Sequence, residues 1–261
     1  MKKYVLLSCL AWLCLLTAPL QAQKPPKKDS LVVIHTPYGD LTVLLYRATP
    51  IHRANFLKLA AAGFYDSTRF HRVIEEFMIQ GGDPTSKDPD KRRAWGNGGP
   101  GYTLPAEILP DLYHLRGVLA AARQNDALNP ERRSSGSQFY IVQGKSYTEE
   151  EMAQLRTRMK RLFPDYQLPE DIEQAYRTEG GTPWLDQQYT VFGEVIDGLA
   201  VIDSVAAQPV SYAGSIPERD ISITMEVVVI KRKKIARRYD YVYSEETDTP
   251  PVEEAAEVAE P

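Results

Sequence analysis

The sequence predicts a mainly β domain whose antiparallel sheet closes on itself, with two core helices at its ends and a helical insertion beside it. Three observations carry this expectation. Short β-branched or alternating apolar runs outnumber helical patterns along most of the 261 residues. Turn residues interrupt those runs, as at Pro37-Tyr38-Gly39-Asp40 and Gly81-Gly82-Asp83-Pro84. One long stretch, residues 145–182, changes to helical periodicity. Closure leaves no exposed sheet edge, and the pattern places a barrel slightly ahead of two packed sheets.

The elements follow in order. Leu31 to Thr36 reads as a strand, and Leu41 to Tyr46 as its hairpin mate across the Pro37–Asp40 turn. Thr49 before Pro50 starts a helix that runs through Leu57 and Ala60 to Gly63. Phe70 to Ile74 and Phe77 to Gln80 are short strands. Asp83 to Gly101 is a long polar surface loop. Gly117 to Ala122 stays open between helix, which alanine favours, and a short buried strand. Gln138 to Val142 and Tyr189 to Val195 are strands, Leu199 to Val205 is the second core helix, and the alternating Ile221 to Val227 is the final strand.

Within the insertion, Thr148 and Glu151 have the spacing of a capping box. Met152, Leu155, Met159 and Leu162 then form one apolar stripe. A second helix is expected after Pro169, carrying Ile172, Ala175 and Tyr176 and stopped by Gly180-Gly181. The stripe reads first as a core face; a contact with a protein partner is the alternative.

Met1-Lys2-Lys3 followed by the apolar run Tyr4 to Leu20 reads as a secretory signal, residues 1–22, cut after Ala22. The run is short for a membrane span. Both cysteines, Cys9 and Cys14, lie inside it, so cleavage would leave no thiol for disulfides, catalysis or metal binding. Leu6-Leu7-Ser8-Cys9 faintly resembles a lipoprotein processing site, which makes membrane attachment a minor alternative. The expected setting is therefore periplasmic or extracellular. Residues 23–29 read as a linker, 30–230 as the main domain, and 231–261 as a basic and then acidic tail. The tail reads first as a solvated terminus whose halves attract weakly, with an anionic partner for the basic run as the alternative. The formal charge of −4 becomes −6 without Lys2 and Lys3, which gives no general support for nucleic-acid binding.

The chemistry points to Phe70-His71-Arg72-Val73-Ile74 followed by Phe77-Met78-Ile79-Gln80-Gly81-Gly82-Asp83. This sets one fixed cation beside apolar and amide groups. His35, His52 and His114 lack metal-ligand spacing, and Ser134, Ser135 and Ser137 lack a nucleophile arrangement. The glycines between Gly96 and Gly101 have no lysine-serine pair after them, so they make a weak phosphate loop. Asp83 and Glu107 read first as surface carboxylates, with orienting donors or binding a cation as the alternative. His71, adjacent to Arg72 in a strand, is expected on the opposite face. Rotation about a prolyl bond needs none of the missing parts. Its barrier of about 20 kcal/mol comes from amide resonance. A rigid donor aimed at the proline nitrogen, with an apolar cup on the ring, favours the twisted state.

These residues closely resemble the cyclophilin family of peptidyl-prolyl cis-trans isomerases. The resemblance continues in Gly136-Ser137-Gln138-Phe139-Tyr140-Ile141, Trp184-Leu185-Asp186 and Val191-Phe192-Gly193, and spans roughly residues 30–230. It implies an eight-stranded antiparallel barrel capped by two helices, with catalysis by Arg72 and no cofactor or metal. It further implies a proline pocket of Phe77, Met78 and Leu185, support from Gln80, a groove lined by Ala122 and Gln138, and Trp184 near substrate and cyclosporin. Tyr140 stands where the family has phenylalanine, and its hydroxyl needs a partner. Arg123 replaces a common asparagine, and Tyr189 a common histidine. Proline-containing peptides and unfolded proteins are the implied partners, and a monomer the expected state. A non-catalytic peptide-binding or chaperone module is the alternative use of the same groove.

Overall fold

In the computed structural model, residues 25–211 and 215–250 are described. The expected signal and the end of the acidic tail lie outside the described residues. The elements in chain order are β1 (Lys28–Thr36), β2 (Gly39–Leu45), α1 (Pro50–Ala61), β3 (Arg72–Ile74), β4 (Met78–Gly81), β5 (Thr103–Leu104), β6 (Val118–Ala121), β7 (Ser134–Ser135) and β8 (Phe139–Val142). They continue with α2 (Glu149–Leu162), α3 (Glu170–Thr178), β9 (Val191–Asp197), α4 (Leu199–Ala206), β10 (Thr224–Lys231), α5 (Arg232–Tyr239) and α6 (Glu245–Asp248).

Eight strands form one antiparallel sheet in the order β10-β1-β2-β9-β6-β8-β4-β3, and β5 pairs separately with β7. The ladder is not a continuous closed ring. Its end strands, β10 and β3, meet through residues that precede them: Arg69 bridges Ser222, and the Phe70 N–H donates to the Ile221 carbonyl at 3.0 Å. β3 has only three residues, too few to extend that seam into a ladder.

Period-two alternation sends neighbouring residues to opposite faces. Val32, Ile34, Leu41 and Val43 join an interior core with Phe56 and Leu59 of α1 and Ile202 and Val205 of α4. Leu31, Leu44, Val118, Ala120, Tyr140 and Val142 form a second cluster on the other side. β6 is buried along its whole length, and the ambiguous alanine run therefore resolves as a strand with both faces covered. Glu107 substitutes for a side-chain cap on α1, accepting the N–H groups of Ile51 at 3.0 Å and His52 at 2.8 Å. Glu107, with its side chain 8% exposed, is thus a helix anchor and not a surface carboxylate.

The final strand runs from Thr224 to Lys231 rather than from Ile221 to Val227. Ile221 and Ile223 are buried as expected, but their backbone serves the seam with Thr68 and Phe70. β1 starts at Lys28, inside the stretch read as linker. The basic run also departs from a solvated tail. Ile235 of α5 is fully buried, and Arg232 binds Asp248 through two bonds of 2.6 and 2.7 Å. The Tyr241 hydroxyl donates to Glu194 at 2.8 Å, and the Arg47 and Ala48 N–H groups donate to the Thr247 carbonyl. Charge dominates this stretch of sequence, and the few apolar anchors within it escape a charge-based reading.

The insertion has both predicted helices. The capping box is present in both directions: the Glu151 N–H donates to Thr148 Oγ1 at 3.2 Å, and the Thr148 N–H to Glu151 Oε2 at 2.9 Å. Met152, Met159 and Tyr176 are fully buried, whereas Leu162, at the end of α2, is 56% exposed. The neck is tight. A Cβ on Gly144 would lie 2.3 Å from the Gly181 Cα, and Gly144 itself has φ of 65°.

Candidate active site

A cleft of about 1060 Å³ opens where β3, β4, β6 and β8 meet the loop that carries Leu185 and Tyr189. Pairing in the sheet builds its centre. Arg72 lies directly opposite Gln80 in the β3–β4 ladder, and Gln80 opposite Tyr140 in the β4–β8 ladder. Arg72 Nη1 donates to Gln80 Oε1 at 3.2 Å. Gln80 Nε2 in turn donates to Gln138 Oε1 at 3.1 Å, and Gln138 Nε2 to the carbonyls of Gly96 at 2.9 Å and Gly98 at 2.7 Å. An amide chain therefore ties the guanidinium to a fixed loop.

Asp83 fixes that loop from beneath. It is fully buried, accepts the Thr85 N–H at 2.7 Å and the Gly96 N–H, and would clash with a Cβ on Gly98. The expectation of a surface carboxylate fails because backbone N–H groups from both ends of an otherwise largely exposed loop converge on Asp83.

Phe77, Met78, Tyr140 and Leu185 supply the apolar side of the cleft next to Arg72. The guanidinium carbon stands 5.9 Å from the centre of the Phe77 ring. Burial lowers the Arg72 pKa from its ordinary value, chiefly through lost solvation, yet an arginine remains a cation in proteins. A desolvated, directed cation beside an apolar cup can hydrogen-bond an imide nitrogen as it loses conjugation.

The model of cyclophilin type peptidyl-prolyl cis-trans isomerases matches residues 31–228. The chain belongs to this family. Proteins of Staphylococcus aureus (strain USA300) and Staphylococcus epidermidis that carry the name of a peptidyl-prolyl cis-trans isomerase are 40% and 38% identical to it over 176 residues. Each alignment covers 67% of this chain and 80% of the relative. The crystal structure of a Cryptosporidium parvum cyclophilin is similar with a TM-score of 0.56 and 28% identity, covering 78% of this chain and 99% of that one. A second structure of the same protein, obtained in the presence of the dipeptide Ala-Pro, has a TM-score of 0.55 and covers 77% and 99%. The protein is a cyclophilin-type peptidyl-prolyl cis-trans isomerase.

Arg72, Phe77, Met78, Gln80, Ala122, Arg123, Tyr140, Leu185 and Tyr189 all border the cyclophilin cleft. Gln138 and Trp184 do not. Gln138 is buried behind Gln80, and Trp184 packs its ring 5.9 Å from that of Phe77. Trp184 also contacts Tyr147, which joins the cleft wall to the insertion. His71 borders the same cleft as Arg72, contrary to the alternation argument, because β3 begins only at Arg72. Its ring is buried, and lost solvation lowers its pKa, which favours the neutral form.

Arg123 has little freedom to meet a peptide backbone. Its Nε donates to the Gln188 carbonyl at 2.9 Å, Nη1 pairs with Asp126, and the guanidinium carbon lies 4.5 Å from the Tyr189 ring centre. Sequence reasoning missed the far wall, formed by Asp90, Arg92, Arg93 and Trp95. The Lys91-Arg92-Arg93-Ala94-Trp95 cluster inside a polar loop was the available signal. Arg92 salt-bridges Asp220 at 2.9 Å and sits 5.0 Å from the Trp95 ring centre, so this wall is held from the chain's later segments.

The Tyr140 hydroxyl finds its partner in His114 Nε2 at 3.0 Å. His114 Nδ1 lies 3.1 Å from Asp186 Oδ1, and its N–H donates to the same oxygen at 2.8 Å. Tyr166 and Tyr176, both from the insertion, donate their hydroxyls to Asp186 at 2.9 Å. A carboxylate only accepts, so His114 Nδ1 carries a proton; in a neutral ring, Nε2 then accepts from Tyr140. Burial raises the Tyr140 pKa well above its usual value, which keeps that hydroxyl protonated. The network runs without a gap from the cleft floor to the insertion.

Proposed function

We propose that Arg72 is the catalytic residue of this isomerase and that Phe77, Met78, Tyr140 and Leu185 hold the proline ring. The observation that carries the reading is the Arg72–Gln80–Gln138 chain, which fixes a partly buried cation beside the apolar cup. Donation from the guanidinium to the pyramidal prolyl nitrogen is available in the twisted state and absent in either planar state, so it lowers the barrier. The cup restrains one side of the bond while the other turns. Gln80 and Gln138 act through Arg72 by holding its direction.

A cis-to-trans exchange assay on a proline peptide tests this. Arg72→Ala is expected to lose about 10²–10³-fold in kcat/KM, the scale for removing one directed donor, while keeping its melting temperature. Equal rates for the two proteins overturn the assignment.

We further propose that the clients are exported chains, in the periplasm or outside the cell. The basic start and apolar run of residues 1–20, with no cysteine after Cys14, support this reading. Intact mass of the protein from its native host tests it: loss of residues 1–22 is expected, a lipid-bearing Cys9 would mean membrane attachment instead, and an unprocessed chain counts against export.

A further inference from the structure

One end of the molecule gathers positive charge on a chain whose net charge is −4. Lys28 and Lys231 sit directly opposite each other in the β1–β10 ladder, and the Arg232 N–H donates to the Lys27 carbonyl at 3.1 Å. All three lysines are exposed. α5 continues from that ladder with Ile235 turned into the core. At about 100° per residue, Lys233, Lys234, Arg237 and Arg238 then share the outward face, and all are exposed.

This arrangement costs stability. Like charges directly opposite on neighbouring strands repel. The first turn of α5 holds no acidic residue but does hold Lys233 and Lys234, so cations sit at the positive end of the helix dipole. Two carboxylates nearby are already paired, Asp29 with Arg53 at 2.7 Å and Asp248 with Arg232 at 2.6 Å. Asp240, at the far end of α5, and Glu245 and Glu246 of α6 are exposed and offset part of the patch. No residue of the patch borders the isomerase cleft.

We propose that this end docks on an anionic phospholipid surface. One observation favours a bilayer over another polyanion. Val229, on the same strand face as Lys231 two residues on, is 62% exposed and offers an apolar contact beside the cations. Juxtamembrane cations gain from the negative potential of such a surface and lose the gain within a Debye length.

The test is co-sedimentation of the processed protein, residues 23–261, with phosphatidylglycerol-containing and pure phosphatidylcholine vesicles. The readout is the anionic-to-neutral ratio of affinities. A ratio of about tenfold or more is expected at low salt, collapsing in 0.5 M salt (roughly, a Debye length of a few ångströms). Changing Lys233, Lys234, Arg237 and Arg238 each to Gln is expected to bring the ratio close to one with isomerase rate unchanged. If that variant fails to fold, Lys27→Gln with Lys28→Gln and the salt series on the wild type carry the test. A wild-type ratio near one overturns the proposal, as does a folded neutralised variant that keeps the wild-type ratio. Tight binding to a short DNA duplex without any preference among vesicles overturns it too and assigns the patch to nucleic acid.

Discussion

Tyr140→Phe restores the side chain expected in most cyclophilins, yet the geometry predicts that it destabilises this one. The ring and its packing in the cleft floor stay. What disappears is the hydroxyl at 3.0 Å from His114 Nε2, whose side chain is 0% exposed. No water reaches that nitrogen to replace the partner, so the cost is that of a buried unsatisfied polar atom, about 1–3 kcal/mol. For a domain of roughly 200 residues, each kcal/mol shifts Tm by about 2–4 °C, giving a fall of roughly 2–12 °C. The exchange rate on a proline peptide should remain within about threefold of the parent, since Arg72 keeps its contacts and a mispositioning large enough to matter costs far more. Calorimetry and an NMR exchange assay on both proteins measure the two quantities. Adding His114→Leu should cost less on the Tyr140→Phe background than alone, because the two groups serve one bond. An unchanged Tm, or full additivity, refutes the claim that Tyr140 is tied through His114.

Other outcomes follow from the same structure. Tyr176→Phe, which deletes one donor to the buried Asp186, should lower stability by about 1–3 kcal/mol, as for a buried polar group left short of a partner; a denaturant midpoint equal to the parent's rules this out. Gly144→Ala should cost more than about 2 kcal/mol or prevent folding, because its Cβ meets the Gly181 backbone at 2.3 Å and the residue needs positive φ; thermal melts decide. His71 binds protons less readily folded than unfolded, so its contribution to stability is complete above the unfolded value near 6.5 and is lost as pH falls below it through the lowered folded value. His71→Gln should flatten that part of a Tm-against-pH curve, and parallel curves for the two proteins would count against the buried neutral imidazole.

Much of this was readable from residues. The first hairpin, the Thr49-Pro50 helix entry and the capping box at Thr148 each rest on local chemistry that tertiary contacts do not reverse. The Arg72-to-Asp83 segment marked the cleft because its residues are close in sequence and paired across one tight hairpin. What escaped was non-local. The inward fold of Asp83 depends on backbone groups of Gly96, and Glu107 anchors a helix 55 residues away in the chain. The Tyr140–His114–Asp186 path draws on three segments, so no single window could show it. Trp184 shows the opposite limit: a motif match located it in the chain but not behind Phe77, away from the cleft lining.

The match to the family ends at residue 228, but ordered packing continues to the bonds made by Thr247 and Asp248. A shortened expression clone stopped at the homology border would strip Ile235 from the hydrophobic layer over β1 and β2, and leave Asp29 without Arg232 and Glu194 without Tyr241. Loss of yield from such a clone would report a severed brace and not a faulty catalytic domain. Affinity handles and reporter fusions at this terminus belong beyond residue 250.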